Sequence, residues 1–155
     1  MEEQKDFAVI QLSELKWPTS RTPPCSRFRL FLAADTTDVN VNAITEFALA
    51  ALSRGMVYMC AWGRNCERFH DIVDEVVAED EVGERKFVGP TANDVVMTTW
   101  HENETLEQAP DFFTKSALPT DGFLADSNFR LVICVDNPDW SQTATKVLQS
   151  ARYLG

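Results

Sequence analysis

The densest group of chemically reactive side chains lies in the segment from Cys60 to Asp71. Cys66 is expected in the first turn of a helix, where free amides and the helix dipole lower the pKa of a thiol. His70 lies one turn further along the same helix, within reach of Cys66, and His101 follows the next predicted strand. This pattern predicts a Cys–His nucleophile pair, with Cys66, His70 and His101 as candidate catalytic residues of a hydrolase or transferase. The alternative is structural, with Cys66 and His70 packed at the edge of the core.

Tryptophan marks the ends of three predicted strands, because Trp62 and Trp100 each close one and Trp140 lies shortly after another. In an open parallel sheet, ligands bind at the carboxyl ends of the strands. Aromatic rings among carboxylates suit a cationic ligand, and the rings alone also suit a nucleotide-like one. Since the neighbours of Trp140 look like helix caps, the site is expected beside Trp62 and Trp100. The predicted ligand-binding residues are Trp62, Gly63, Arg64, Trp100, Glu102, Asp35 and Asp136.

Other kinds of site find less support in the spacing of the residues. Cys66, His70 and His101 are zinc-ligand types, but Cys-x-x-Cys and His-Glu-x-x-His spacings do not occur. The glycine-rich dinucleotide and phosphate-loop motifs are missing too. We therefore predict no metal and no cofactor, and we expect about half of the acids at the strand ends to serve as helix caps.

Apolar strands alternate with amphipathic helices along the chain. Strands are predicted over Phe7–Leu12, Phe28–Ala34, Met56–Trp62, Asp94–Trp100 and Arg130–Val135. Helices are predicted after Asn40 or Asn42, after Asn65, from about Thr105 to Leu118, and after Asp139 or Ser141. Pro110 must either kink the third helix or lie in its first turn. This alternation predicts a single-domain, three-layer, Rossmann-like α/β fold with a mostly parallel sheet of four or five strands.

The domain organisation follows from the prolines near the amino terminus. Residues 1–26 form an N-terminal segment, with an edge strand at Phe7–Leu12 and a proline-rich connector, and residues 27–155 form the α/β domain. If the protein is a subunit of an assembly, Phe7–Leu12 is an edge that would pair with another chain. The oligomeric state stays open.

Composition narrows the class of partner. The 155 residues carry a net charge of −10, and the longest basic cluster is Arg85–Lys86, so nucleic-acid binding is not expected. No apolar run approaches the roughly 20 residues of a membrane span. The charged amino-terminal residues lack the apolar core of a signal peptide. We predict a cytoplasmic protein with four reduced cysteines and no membrane partner.

Four motifs resemble those of a family of small uncharacterised bacterial α/β proteins, over about Phe28 to Trp140. They are Met59-Cys-Ala-Trp-Gly, Cys66-Glu-Arg-Phe-His-Asp71, Val96-Met-Thr-Thr-Trp-His101 and Pro119-Thr-Asp-Gly122. The resemblance implies a bacterial source but no activity, because the family has none assigned.

Three functions follow from these observations. The first is binding of a small nucleotide-like or cationic ligand in a pocket lined by tryptophan, histidine and cysteine. The second is an acidic interaction protein, such as an immunity protein or inhibitor, that neutralises a basic protein partner. The third is a hydrolase or transferase that depends on the Cys–His pair.

Overall fold

A computed structural model describes residues 6–18, 26–87 and 94–154, and this part of the chain forms five strands and five helices. The strands are β1 (Phe7–Leu12), β2 (Phe28–Ala33), β3 (Met56–Trp62), β4 (Met97–Trp100) and β5 (Arg130–Val135). The helices are α1 (Val41–Ser53), α2 (Cys66–Val82), α3 (Gln108–Lys115), α4 (Asp121–Leu124) and α5 (Pro138–Leu154). Cys25 and most of the proline-rich connector lie outside the described residues.

The five strands form one parallel sheet in the order β1-β5-β2-β3-β4. The predicted α/β, Rossmann-like fold is therefore confirmed, and every pairing is parallel. The amino-terminal strand β1 pairs with β5 from Phe7 opposite Arg130 to Leu12 opposite Val135. Residues 7–12, predicted as an edge strand of the N-terminal segment, form the strand at one edge of this sheet.

Helices cover both faces of the sheet. On one face, α1 and α2 cover side chains such as Leu30 and Leu32; on the other, α3 and α5 cover Phe31 and Ala33. Successive residues of β2 therefore alternate between two hydrophobic clusters, and all six are buried. A strand covered on both faces reads as a continuous apolar run, which is why β2 is visible in the sequence.

The connections reverse direction at β2, which lies between β5 and β3. The chain leaves β2 through α1 on one face, whereas it leaves β5 through α5 on the other face. Adjacent parallel strands whose helices depart to opposite faces open a crevice at their carboxyl ends. The topology therefore favours a site beside the ends of β2 and β5.

Helix boundaries differ from the sequence prediction at the proline residues. Helix α3 begins at Gln108, so Pro110 lies in its first turn, where its missing N–H leaves no helical bond unmade. Helix α5 begins at Pro138, ahead of both predicted caps, and Asn137 Oδ1 accepts the Asp139 N–H at 3.1 Å instead.

Two further elements differ from the prediction. Strand β4 starts at Met97, not Asp94, because the Asp94 carboxylate turns to accept the Gly122 N–H at 2.7 Å. A short helix, α4, lies between α3 and β5, where no helix was predicted. No helix in the described ranges combines the length and apolarity needed to cross a bilayer.

Candidate functional site

A cavity of about 560 Å³ lies at the carboxyl edge of the sheet, near the ends of β2 and β3 and the start of α5. Its wall combines aromatic, acidic and basic side chains from four separate segments. The lining residues are Asp35, Trp62, Gly63, Arg64, Asn65, Glu102, Glu104 and Trp140. Five of these residues, Asp35, Trp62, Gly63, Arg64 and Glu102, were predicted to bind the ligand.

Two tryptophans form the aromatic part of the wall. The rings of Trp62 and Trp140 meet edge to face, with centroids 5.1 Å apart and planes at 89°. The indole N–H of Trp62 donates to the backbone carbonyl of Glu104 at 2.8 Å. Because edge-to-face packing and a hydrogen bond both restrain the ring, Trp62 is held in one orientation.

The backbone at the end of β3 adopts conformations that few residues tolerate. Gly63 has a φ of +120°, and a Cβ at this position would lie 2.1 Å from the carbonyl oxygen of Ala34. Asn65 has a φ of 61° at the start of α2. Contrary to prediction, its side chain does not cap the helix, because Nδ2–H donates to Thr37 Oγ1 at 2.9 Å. These contacts join the β3–α2 turn to the loop after β2.

The charge of the cavity is negative, since three carboxylates and one guanidinium line it. The Thr37 hydroxyl and amide both donate to Asp35, and with help from nearby Arg64 they lower the pKa of this carboxyl. The guanidinium of Arg64 forms no hydrogen bond or ion pair with any described residue. Because the three carboxylates outnumber the single guanidinium, the net field inside the cavity favours a positively charged ligand.

A buried histidine supports the acidic wall. His101 is 5% exposed, and its Nδ1 lies 2.9 Å from the Glu104 carboxylate. Its Nε2 lies 3.0 Å from Thr99 Oγ1, which in turn lies 3.4 Å from Cys60 Sγ. Burial raises the pKa of the Cys60 thiol to about 12, so this group stays protonated. Four side chains thus form a continuous hydrogen-bonded chain from the core to the cavity.

The second histidine lies on the opposite face of β4, away from the cavity lining. His70 Nδ1 pairs with the Asp71 carboxylate at 3.0 Å, and Nε2 lies 2.9 Å from Thr98 Oγ1. Its ring contacts that of Trp100 in a tilted arrangement, with centroids 4.5 Å apart and planes at 47°, and Trp100 is 43% exposed. The structure therefore separates Trp100 and His70 from Trp62, which corrects the expectation that the two strand-end tryptophans flank one pocket.

The predicted nucleophile pair is not formed. Cys66 is buried, and burial raises the pKa of its thiol, so the predicted lowering by the helix end is wrong. Both nitrogens of His70 and of His101 contact other partners, and neither imidazole hydrogen-bonds to Cys66 within the described residues. The same ranges contain no group of three metal-ligating side chains.

Asp136 lines a neighbouring cavity of about 270 Å³, bounded by the ends of β1, β2 and β5. Its φ of 59° is unusual for a residue other than glycine, and its N–H donates to the Leu12 carbonyl at 2.7 Å. Asp35 and Trp140 line both cavities, so the two are adjacent. The smaller cavity occupies the crevice that the reversal of connections creates.

Three residues of the cavity lining, Asn65, Glu104 and Trp140, were not among the predicted ligand-binding residues. Trp140 was set aside because its neighbours resemble helix caps, yet it completes the aromatic wall. Glu104 was not named as a binding residue, although its three-residue spacing from His101 is the signal that could have linked the two side chains.

Comparison with known proteins places the chain in one family. No curated protein and no solved structure shows a match to it. The model of a family described as a domain of unknown function, DUF7684, matches residues 8–151. Because this match spans nearly the whole chain, the protein belongs to the DUF7684 family.

Proposed function

We propose that the protein binds a small organic cation in the cavity lined by Trp62 and Trp140. The observation that carries this proposal is the combination of two contacting indole rings with three carboxylates and a single guanidinium. Aromatic faces attract cations through their quadrupole, with energies from about 0.5 kcal/mol at exposed sites to about 2 kcal/mol at desolvated ones.

The size of the cavity supports a ligand of modest dimensions. A volume of about 560 Å³ lies in the range typical of small-molecule sites. The tryptophans supply apolar surface, and the carboxylates supply the few polar groups that orient a ligand. This composition suits a cation with a hydrocarbon body, such as an alkylammonium or guanidinium compound.

The charge of the wall makes a nucleotide a weaker candidate. Phosphate groups carry negative charge, and Asp35, Glu102 and Glu104 would repel them. Among the described residues of the lining, Arg64 is the only cation. Of the two ligand classes predicted from the sequence, the cationic one therefore has the better support.

The test is a pair of compounds of the same shape that differ in charge. Choline and 3,3-dimethylbutan-1-ol have matching branched bodies, but only choline is a cation. Titration followed by tryptophan fluorescence or calorimetry should show choline binding at least about fivefold more tightly, which corresponds to about 1 kcal/mol. Agmatine and putrescine extend the series to other cations. The proposal is wrong if none of the three cations binds better than the neutral alcohol.

A groove beside β4 favours a second candidate, an acidic protein that binds a basic partner. Within the described residues β4 pairs only with β3, and a groove of about 410 Å³ runs between it and α2. Asp74 and Glu81 line this groove. A basic partner should be captured stoichiometrically from a bacterial host by the wild type, and lost with Asp74→Lys/Glu81→Lys or at high salt. Capture that is insensitive to both would exclude this surface.

We also propose that the protein is bacterial and cytoplasmic. Cys60, Cys66 and Cys134 are free and buried, as expected in a reducing compartment. Together with the motif resemblance, this supports a bacterial, cytoplasmic origin.

A further inference from the structure

We propose that the ligand of the cavity is a zwitterion of the basic amino-acid type, whose carboxylate binds Arg64 and whose side-chain cation binds Glu102 and Glu104. This inference rests on the proposed function, because it names the ligand class of the same cavity more closely. The observation that carries it is a pair of opposite charges, Arg64 and Glu102, that line one cavity without pairing with each other.

Neither of these two side chains is neutralised by the protein. The carboxylate of Glu102, like the guanidinium of Arg64, forms no hydrogen bond or ion pair with any described residue. Both groups are exposed at the cavity, so a ligand can reach them. A ligand that carries one negative and one positive end satisfies both at once, whereas a simple cation leaves the guanidinium without a partner.

The other two carboxylates of the wall are held in place and keep binding capacity. Asp35 Oδ1 accepts from both the amide and the hydroxyl of Thr37, and Glu104 Oε2 lies 2.9 Å from His101 Nδ1. The second oxygen of each carboxylate has no partner among the described residues. Both acids can therefore contact a ligand without giving up the bonds that orient them.

The positions of these groups suit a ligand with charges at both ends. Asp35 and Arg64 interact electrostatically at the ends of β2 and β3, whereas Glu102 and Glu104 follow β4, the next strand of the sheet. Neighbouring strands lie about 4.8 Å apart, so a short hydrocarbon chain spans the two groups. Trp62 closes β3 between them, and its indole N–H reaches the Glu104 carbonyl at 2.8 Å. The apolar body of the ligand would lie beside this ring.

The balance of charge favours a basic amino acid over other zwitterions. Three carboxylates and one guanidinium give the lining a net charge of −2. A basic amino acid has two cationic groups and one carboxylate, so each of its charges meets an opposite one: its carboxylate meets Arg64, its α-ammonium meets Asp35 and its side chain meets the two glutamates. A planar guanidinium binds a carboxylate through two parallel hydrogen bonds, which adds specificity for this end of the ligand.

The experiment compares arginine with argininamide by calorimetric titration of the full chain in neutral buffer. The two compounds share the guanidinium, the alkyl chain and the α-ammonium, and only arginine has the carboxylate. If the negative field of the cavity alone decided affinity, argininamide, with its larger positive charge, would bind more tightly. Contact of the carboxylate with Arg64 instead predicts that arginine binds about fivefold more tightly.

Substitution of Arg64 tests the contact itself. Arg64→Gln should weaken arginine binding about fivefold and leave argininamide and choline within about twofold of wild type or tighter, so that the preference is lost. Retained choline binding shows that the cavity of this variant is intact. Arg54→Gln is the matched control, because it removes the same charge from an exposed position at the end of α1, outside the cavity lining, and it should keep the wild-type preference.

The outcomes separate this inference from the proposed function. The inference is overturned if argininamide binds the wild type as tightly as arginine does, or if Arg64→Gln keeps the preference for arginine. In either case, tighter binding of choline than of 3,3-dimethylbutan-1-ol would leave the proposed function standing. If no cation and no zwitterion of the series binds, both the proposed function and the inference fail.

Discussion

The two histidines lie on opposite faces of β4 and differ in what surrounds them. His70, a residue of α2, packs against Thr98 of β4 and contacts an exposed tryptophan and an exposed aspartate. His101 faces α3, where Thr99 and Phe112 enclose it and Glu104 connects it to the cavity. Their partners in β4, Thr98 and Thr99, are adjacent along the strand, and adjacent residues on a strand point to opposite faces of the sheet. Side chains at the same edge of a sheet can therefore belong to two different sites.

The first prediction tests the backbone turn between β3 and α2, which forms part of the cavity wall. Gly63→Ala should lower the free energy of unfolding by roughly 3 kcal/mol, because a Cβ collides with the Ala34 carbonyl at a φ of +120°. Urea denaturation measures this loss. Asn65→Gly is the control, since glycine accepts the left-handed conformation of Asn65, and it should stay within about 1 kcal/mol of wild type. A Gly63→Ala protein as stable as the wild type would contradict the geometry of this turn.

The second prediction compares thiols on the two faces. Folding raises the pKa of Cys60 from 9.0 to about 12, so the native state favours the neutral thiol. The stability this contributes is complete below the unfolded pKa and is lost as pH rises toward the folded value, at up to about 1.4 kcal/mol per pH unit. Cys60→Ala should flatten the decline of unfolding free energy above about pH 9 more than Cys66→Ala does. Equal slopes for the two variants would show that Cys60 is no less ionisable than Cys66.

The third prediction separates the tryptophans by function. Trp140→Leu should weaken choline binding about fivefold to tenfold, because it removes an aromatic face from the cavity. Trp100→Leu should leave choline affinity unchanged within about twofold, since Trp100 is not part of the cavity lining. Fluorescence titration of both variants gives the comparison. A larger effect of Trp100→Leu would contradict the proposed cavity and place the choline site on the face of β4 that packs against α2.

The smallest expected effect lies at the exposed acid of the His70 side. Asp71→Asn should change the free energy of unfolding by no more than about 0.5 kcal/mol, because the Asp71 side chain is 65% exposed and its ion pair is screened. Glu104→Gln should cost about 1 kcal/mol, since the buried ring of His101 loses a charged acceptor. Thermal unfolding at neutral pH resolves the difference. A larger loss of unfolding free energy in Asp71→Asn than in Glu104→Gln would contradict this ranking of the two ion pairs.

Much of the fold was predictable because each central strand is buried on both faces. The continuous apolar runs of β2, β3 and β5 mark them in the sequence, and the alternation with amphipathic helices indicates a parallel sheet. The short edge strand β4 was predicted three residues too long, because Asp94 turns away to bond Gly122.

The site was less predictable because it depends on strand order and side-chain direction. Trp62 and Trp100 occupy different surroundings because Trp100 pairs with Ala61 and not with Trp62, and one sequence does not reveal this register. The contact of Trp140 with Trp62 requires knowing that β5 lies beside β2. Burial, which raises the pKa of Cys66, outweighs the helix end that was expected to lower it.

The most direct test of the central claim is the titration of the wild-type protein with choline and with 3,3-dimethylbutan-1-ol. A cation site bounded by Trp62 and Trp140 predicts saturable binding of choline, at least about fivefold tighter than that of the neutral alcohol. Equal affinity for the two compounds, with agmatine and putrescine no tighter, would show that the cavity does not select for positive charge and would contradict the proposed function.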